Sequence, residues 1–275
     1  MDAPLQATDR PRARPARRKT YWRRNENWML GSVSMLLFLG VWELAVRLGM
    51  VNPLFSSSPS RIAAAAYDMF ADGSIYVHLR VSGAEFLLGF SLAVVIGVPL
   101  GILMGWYSRV NAILEPFVSA LYATPRIALL PLVVIWFGIG LGSKVAIVFL
   151  GAVFPILVNT ITGVRTINAD FVRVARSFSA SDRQMFTTVA LPSSVPMLLT
   201  GLRLGLGHAL VGIVVGEMYG ATQGLGYLIA VAGARFQTDK VMVGIILIAA
   251  LGVAMTELLR AIERRFEVWR PDHRG

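Results

Sequence analysis

Residues 86–104 read FLLGFSLAVVIGVPLGILM, nineteen positions without one ionisable side chain. A bilayer core about 30 Å thick needs roughly 20 apolar residues per helix, so this stretch has the length and character of a membrane span. Five further windows approach the same length: Met29–Val46, Phe117–Phe137, Val145–Val164, Val195–Met218 and Val241–Leu259. In lipid every backbone N–H and C=O must be bonded internally, and apolar stretches this long meet that demand as helices. The third window carries Tyr122-Ala123-Thr124-Pro125-Arg126 and then Pro131, which predicts a broken or kinked helix. The fold class expected is an all-α membrane protein of about six transmembrane helices.

Composition agrees. Of 275 residues 55% are hydrophobic and 15% charged, and the mean hydropathy is +0.63, outside the ordinary soluble range. The net charge of +10 does not mark nucleic-acid binding, because the basic residues sit in tails and loops, not on one folded face. They mark topology instead. Eighteen Lys/Arg fall in the tail through Arg24, near Arg109, between Arg165 and Arg183, and in Arg260, Arg264, Arg265, Arg270 and Arg274, against six in the opposite loops. The positive-inside rule then places both termini in the cytoplasm. Residues 1–27 are expected to be a disordered basic tail, 28–265 the transmembrane domain, and 266–275 a second tail. The long apolar stretch after Met29 reads as an uncleaved first span, not a signal peptide.

Several chemistries are disfavoured. The chain has no cysteine and three histidines, His78, His208 and His273, too few for a metal cluster. Lys144 follows the glycine-rich run Gly138–Ser143, but the residue before it is serine, so no phosphate-binding loop is formed; the run reads as a tight outside turn. No catalytic constellation stands out. Glycines recur every fourth residue at 97, 101 and 105 and at 212, 216 and 220, a spacing that lets helix backbones approach closely, here within one subunit. Among ionisable residues in or near spans, Glu43, Glu85, Glu217 and Glu257 are expected to reach the membrane interface and Arg203 to snorkel or find a carboxylate. Arg126 and His208 sit deeper and are candidates for a solute pathway, which would favour an anion.

The most informative stretch is the connection Thr166–Ser194, too polar to span yet patterned. Phe171, Val174, Ala175 and Phe178 fall at i, i+3, i+4 and i+7, one apolar helical stripe with Asn168 as N-cap. A second helix opens with Ser181 and Gln184 in capping-box spacing and is expected to stop at Pro192. Such a pair either lies on its own protein or docks into a partner's groove.

This segment resembles the EAA loop of importer-type ABC permeases, in which Glu-Ala-Ala, three residues, Gly, nine residues and Ile-x-Leu-Pro precede the last two spans. Arg173-Val174-Ala175 falls at the Glu-Ala-Ala position, Ser179 at the glycine, and Val189-Ala190-Leu191-Pro192 at Ile-x-Leu-Pro. Arg173 and Ser179 depart from the family's residue types. The stretches Pro131–Gly140, Gly151–Thr160, Gly201–Met218 and Gly224–Ile229 are similar to the nitrate, sulfonate and taurine permease group. The resemblance implies a type I, MetI-like permease fold in a bacterial inner membrane. It implies a second permease copy as partner, two cytoplasmic ABC ATPase subunits that use the ATP and magnesium, and a periplasmic or lipid-anchored solute-binding protein. It also implies that this chain carries no cofactor and is not itself an enzyme. The ATPase-coupling residues it implies are Arg173, Val174, Ala175, Phe178, Ser179, Ala180, Ser181, Asp182, Val189, Leu191 and Pro192. Two other classes remain in view: a secondary transporter, disfavoured by the lack of a visible repeat, and a membrane scaffold, which would also use glycine-rich helices and a docking pair.

Overall fold

The computed structural model describes residues 21–167 and 169–266. The expected Asn168 cap, most of the basic tail and the C-terminal stretch with Arg270 and Arg274 lie outside them. All regular elements among the described residues are helices.

The chain divides at Val51 into two units. The first holds α1 (Tyr21–Arg47), whose end is closed by Gly49 at φ 72°. The Met50 N–H donates back to the Ala45 carbonyl and the Gly49 N–H to Val46, the Schellman arrangement that a left-handed residue permits. Glu43, expected to reach the interface, pairs with Arg47 at 2.7 Å.

The second unit begins with the short helices α2 (Pro53–Ser56) and α3 (Pro59–Ala71). Asp72 then accepts from the Ser74 N–H at 2.8 Å, which holds its carboxyl below the ordinary carboxylate range and opens α4 (Ser74–Trp106). This helix starts twelve residues before the apolar window, so Arg80, one of the six basic residues assigned to the opposite loops, is helical. The third window breaks as its prolines predict. Helix α5 (Ser108–Ala123) ends at Thr124, which takes the extended conformation favoured before a proline. A 3₁₀ turn, Arg126–Leu129, and α6 (Leu130–Phe137) follow at 90° to α5.

Helix α7 (Leu141–Arg165) comes next and is the most buried of the long apolar helices. Its interior includes Val148, Ala152 and Ile156. Polar side chains inside it bond their own backbone: Thr160 Oγ1 donates to the Ile156 carbonyl at 2.7 Å and Asn159 Nδ2 to Pro155 at 2.8 Å. The connection contains α8 (Ala169–Ser177), α9 (Asp182–Met185) and a π-turn, Phe186–Ala190, that runs into α10 (Leu191–Gly220). Two helices complete the unit, α11 (Leu225–Ala234) and α12 (Thr238–Phe266). Among the described residues five helices have the length and composition to cross a membrane, or six if the bent pair counts as one span.

Glycine decides how closely α4, α7 and α10 approach. A Cβ on Gly89 would lie 2.6 Å from Val148 Cβ and 2.8 Å from the Val145 carbonyl; one on Gly101 would lie 2.7 Å from Thr160 Cβ. Gly97 and Gly105 face Ile156 and Val164 of the same helix, so α4 lays a four-residue glycine ladder on α7. On the other side, a Cβ on Gly205 would lie 3.0 Å from the Ala152 carbonyl. The repeats therefore pack helices within the subunit, α7 between α4 and α10.

Candidate functional site

Three places gather the residues of interest. The first is the connection before α10. Phe171, Val174 and Phe178 are 52%, 55% and 82% exposed, so the stripe of α8 is not laid on its own subunit. Helix α8 ends in a Schellman turn: the Ala180 N–H donates to the Ala175 carbonyl at 3.1 Å and Ser179 N–H to Arg176 at 2.9 Å. Ser179 adopts φ 55° to make it. A left-handed conformation costs a residue with Cβ about 1–2 kcal/mol relative to glycine, yet the turn is kept without the glycine. Arg173 makes an exposed 3.7 Å pair with Asp170, a contact worth well under about 1 kcal/mol. Ser181 caps α9 as its spacing predicted, with the Gln184 N–H donating to Ser181 Oγ at 3.3 Å and the Ser181 N–H to Gln184 Oε1 at 2.9 Å.

The second expected helix does not stop at Pro192. It runs from Asp182 to Gly220 without interruption. Pro192 has no N–H to give and would clash with the carbonyl of residue 188 in a regular α-turn. The π-turn widens the helix just ahead of it, with the Leu191 N–H donating to Phe186 five residues back. Met185 is buried, and Phe186 meets Trp106 at the end of α4 edge-on, centroids 5.1 Å apart. Ala190 and Ser194 are buried as well, whereas Val189, Leu191 and Pro192 are half-buried. One half of the connection is thus anchored and the other presents apolar side chains.

The second place brings Arg126 and His208 together. Both line a cavity of about 340 Å³ at the break of the bent span, walled by residues of α5, the 3₁₀ turn, α7 and α10. Arg126 donates one N–H to the Gly151 carbonyl at 3.1 Å, and its guanidinium lies 5.5 Å from the Tyr122 ring centroid and 5.8 Å from that of Phe154.

The third place was missed in the sequence. Glu85 and Glu217 do not reach the interface; they are 4% and 1% exposed. Lys144 is not in a turn but in the first helical turn of α7, 1% exposed, its Nζ donating to the Gly220 carbonyl. Three successive N–H groups at the start of α11 are held by side chains: Gly224 by His78 Nδ1 at 3.0 Å, Leu225 by Ser82 Oγ at 2.8 Å, Gly226 by Glu217 Oε2 at 2.6 Å. Ser82 in turn donates to Glu217 Oε1 at 2.5 Å. Since His78, Ser82 and Glu85 stand at i, i+4 and i+7, one face of α4 carries the clasp. A carboxylate at the positive end of a helix dipole is well placed. Gly224 and Gly226 permit the approach: a Cβ on the first would fall 2.4 Å from Glu217 Cδ, and on the second 2.5 Å from the Val214 carbonyl. The only cue in the sequence was the pairing of Gly224-Leu225-Gly226 with acids inside two spans.

Residues 97–268 match the family described as binding-protein-dependent transport system inner membrane component. The chain belongs to this family. The putative aliphatic sulfonates transport permease protein SsuC of Bacillus subtilis (strain 168) is 34% identical over 258 residues, 94% of each chain. The taurine transport system permease protein TauC of Escherichia coli (strain K12) is also 34% identical over 258 residues, 92% of this chain and 94% of that one. A solved structure of the MetNI methionine ABC transporter, inward facing, aligns with TM-score 0.59 at 17% identity over 72% of this chain and 99% of that chain. The permease therefore has the type I, MetI-like ABC importer fold, and its family consists of transport components, not enzymes. Arg203, expected to snorkel or pair, donates to Glu263 of α12 at 2.7 Å in the permease.

Proposed function

We propose that the permease is the membrane subunit of an ATP-driven importer for a small anionic solute of the sulfonate, taurine or nitrate type, coupled through residues 169–192 to an ATPase on a separate chain. The observation that carries this reading is the unpartnered stripe of Phe171 and Val174 on α8 and Phe178 just after it, joined through a capped turn to a helix continuous with α10. An amphipathic helix seated in a partner's groove transmits rigid-body motion. Here α8 is the seat, Ser179 to Asp182 the rigid corner, and α9 with the π-turn the root of a lever ending in α10. The excess of basic residues in the sequence of the connection and of the two tails supports a cytoplasmic side for all three. A second copy of the permease completes the path, a periplasmic or lipid-anchored binding protein delivers the solute, and ATP with its magnesium is used by the ATPase, with no cofactor in this chain. Arg126 and His208 line the path.

The test is uptake. Phe171→Asp, Val174→Asp and Phe178→Asp together, reconstituted in proteoliposomes with candidate ABC ATPase and binding-protein partners, are expected to lower ATP-dependent uptake more than tenfold. The inserted yield stays as before, because these side chains support no packing. Undiminished uptake would refute the coupling role; uptake that needs no ATPase would restore the secondary-transporter reading.

A further inference from the structure

Resting on the importer reading, we propose that the cavity at Arg126 selects the solute, and that it takes a monoanion with a sulfonate-like head and a short apolar tail while rejecting zwitterions that carry an ammonium group. An arginine within a membrane span is expected to have an anionic partner or a watery site. Arg126 has no acidic partner among the described residues. Guanidinium offers five N–H donors, and one is used, on the Gly151 carbonyl. The cation lies against both the Tyr122 and Phe154 rings, whose centroids are themselves 6.3 Å apart, and these contacts orient the planar fork that matches a sulfonate or carboxylate edge.

The rest of the cavity defines the remainder of the ligand. Ile127, Leu130, Ile147, Val211 and Val215 make an apolar wall, suited to methylenes. At roughly 30 Å³ per water, a cavity of about 340 Å³ is several times larger than an inorganic oxyanion needs. No Asp or Glu lines it, so an ammonium entering with the anion would meet a guanidinium and no carboxylate. His208 is the second polar side chain in the wall with nitrogen to offer. Aliphatic sulfonates fit these demands and taurine does not, a distinction that relatives at equal identity leave open.

The absence of cysteine gives a clean reporter. Val211 lines the cavity and is 55% exposed, so Val211→Cys in the full chain, in nanodiscs, should react with a maleimide. Saturating pentanesulfonate is expected to slow that reaction at least tenfold, whereas taurine and pentanol change it less than twofold. Arg126→Gln in the same background should abolish the protection, and Arg126→Lys should keep part of it. Equal protection by taurine or pentanol, absence of protection by pentanesulfonate, or protection that survives Arg126→Gln each overturns the proposal. If Arg126→Gln does not insert, the three probes on the Arg126 form decide alone. The assay contains no ATPase, so its failure is separate from any failure of coupling in the uptake experiment.

Discussion

Gly89→Leu should abolish the folded permease. The position has room for no side chain: even a Cβ would sit 2.6 Å from Val148 and 2.8 Å from the Val145 carbonyl, and backbone cannot swing aside. Extra methylenes in a packed core cost about 1–3 kcal/mol when neighbours can adjust. Here α4 would have to move away from α7, unseating Gly97, Gly101 and Gly105 along the same ladder. The expected result is loss of the monodisperse peak in fluorescence-detected size exclusion after detergent extraction. Gly83→Leu on the same helix meets open space and should extract normally. Equal behaviour of the two variants would mean that α4 and α7 do not touch as described.

Glu217→Ala is expected to be the most damaging change among the buried polar residues. The substitution orphans the Gly226 N–H, removes the acceptor of the Ser82 hydroxyl and takes one of two carboxyl groups from the surroundings of Lys144. Each buried donor left without its acceptor costs about 1–3 kcal/mol, so the two together cost about 2–6 kcal/mol. At roughly 2–4 °C per kcal/mol for a chain of this size, the melting temperature falls by about 4 to 20 °C. Glu217→Gln retains one acceptor oxygen and should lose less. A melting temperature for Glu217→Ala within about 2 °C of the unmodified permease would show that α11 is not held through this side chain.

The spans were legible because the bilayer imposes length and hydropathy on each helix separately, as in residues 86–104. The break at Thr124–Pro125 was legible for an equally local reason. The capping box at Ser181 and Gln184 could be read from two residues three apart, and the stripe of α8 from its helical period. What failed depended on neighbours distant in sequence. Glu85, Lys144 and Glu217 looked like residues near helix ends because each stands close to the edge of an apolar window; their burial arises only when α4, α7 and α10 converge on the start of α11. The end assigned at Pro192 failed because a π-turn can relieve a proline without ending a helix, and no local residue pattern announces it. Ser179 keeps a left-handed turn without glycine, since the two Schellman bonds and the cap at Ser181 fix the corner from both sides.

The coupling role of α8 is tested most directly by cross-linking. With no native cysteine, Phe178→Cys places one thiol on the exposed stripe, 82% exposed in the isolated subunit. In membranes that also contain the candidate partner ATPase, a short bifunctional thiol reagent should join this position to single-cysteine variants lining a groove on the ATPase surface, with a yield that changes on adding ATP. Tyr76→Cys on α4, far in sequence from the connection, should give no such product. Absence of a Phe178→Cys cross-link across a scan of that surface, in membranes where ATP-driven uptake proceeds, would contradict the account.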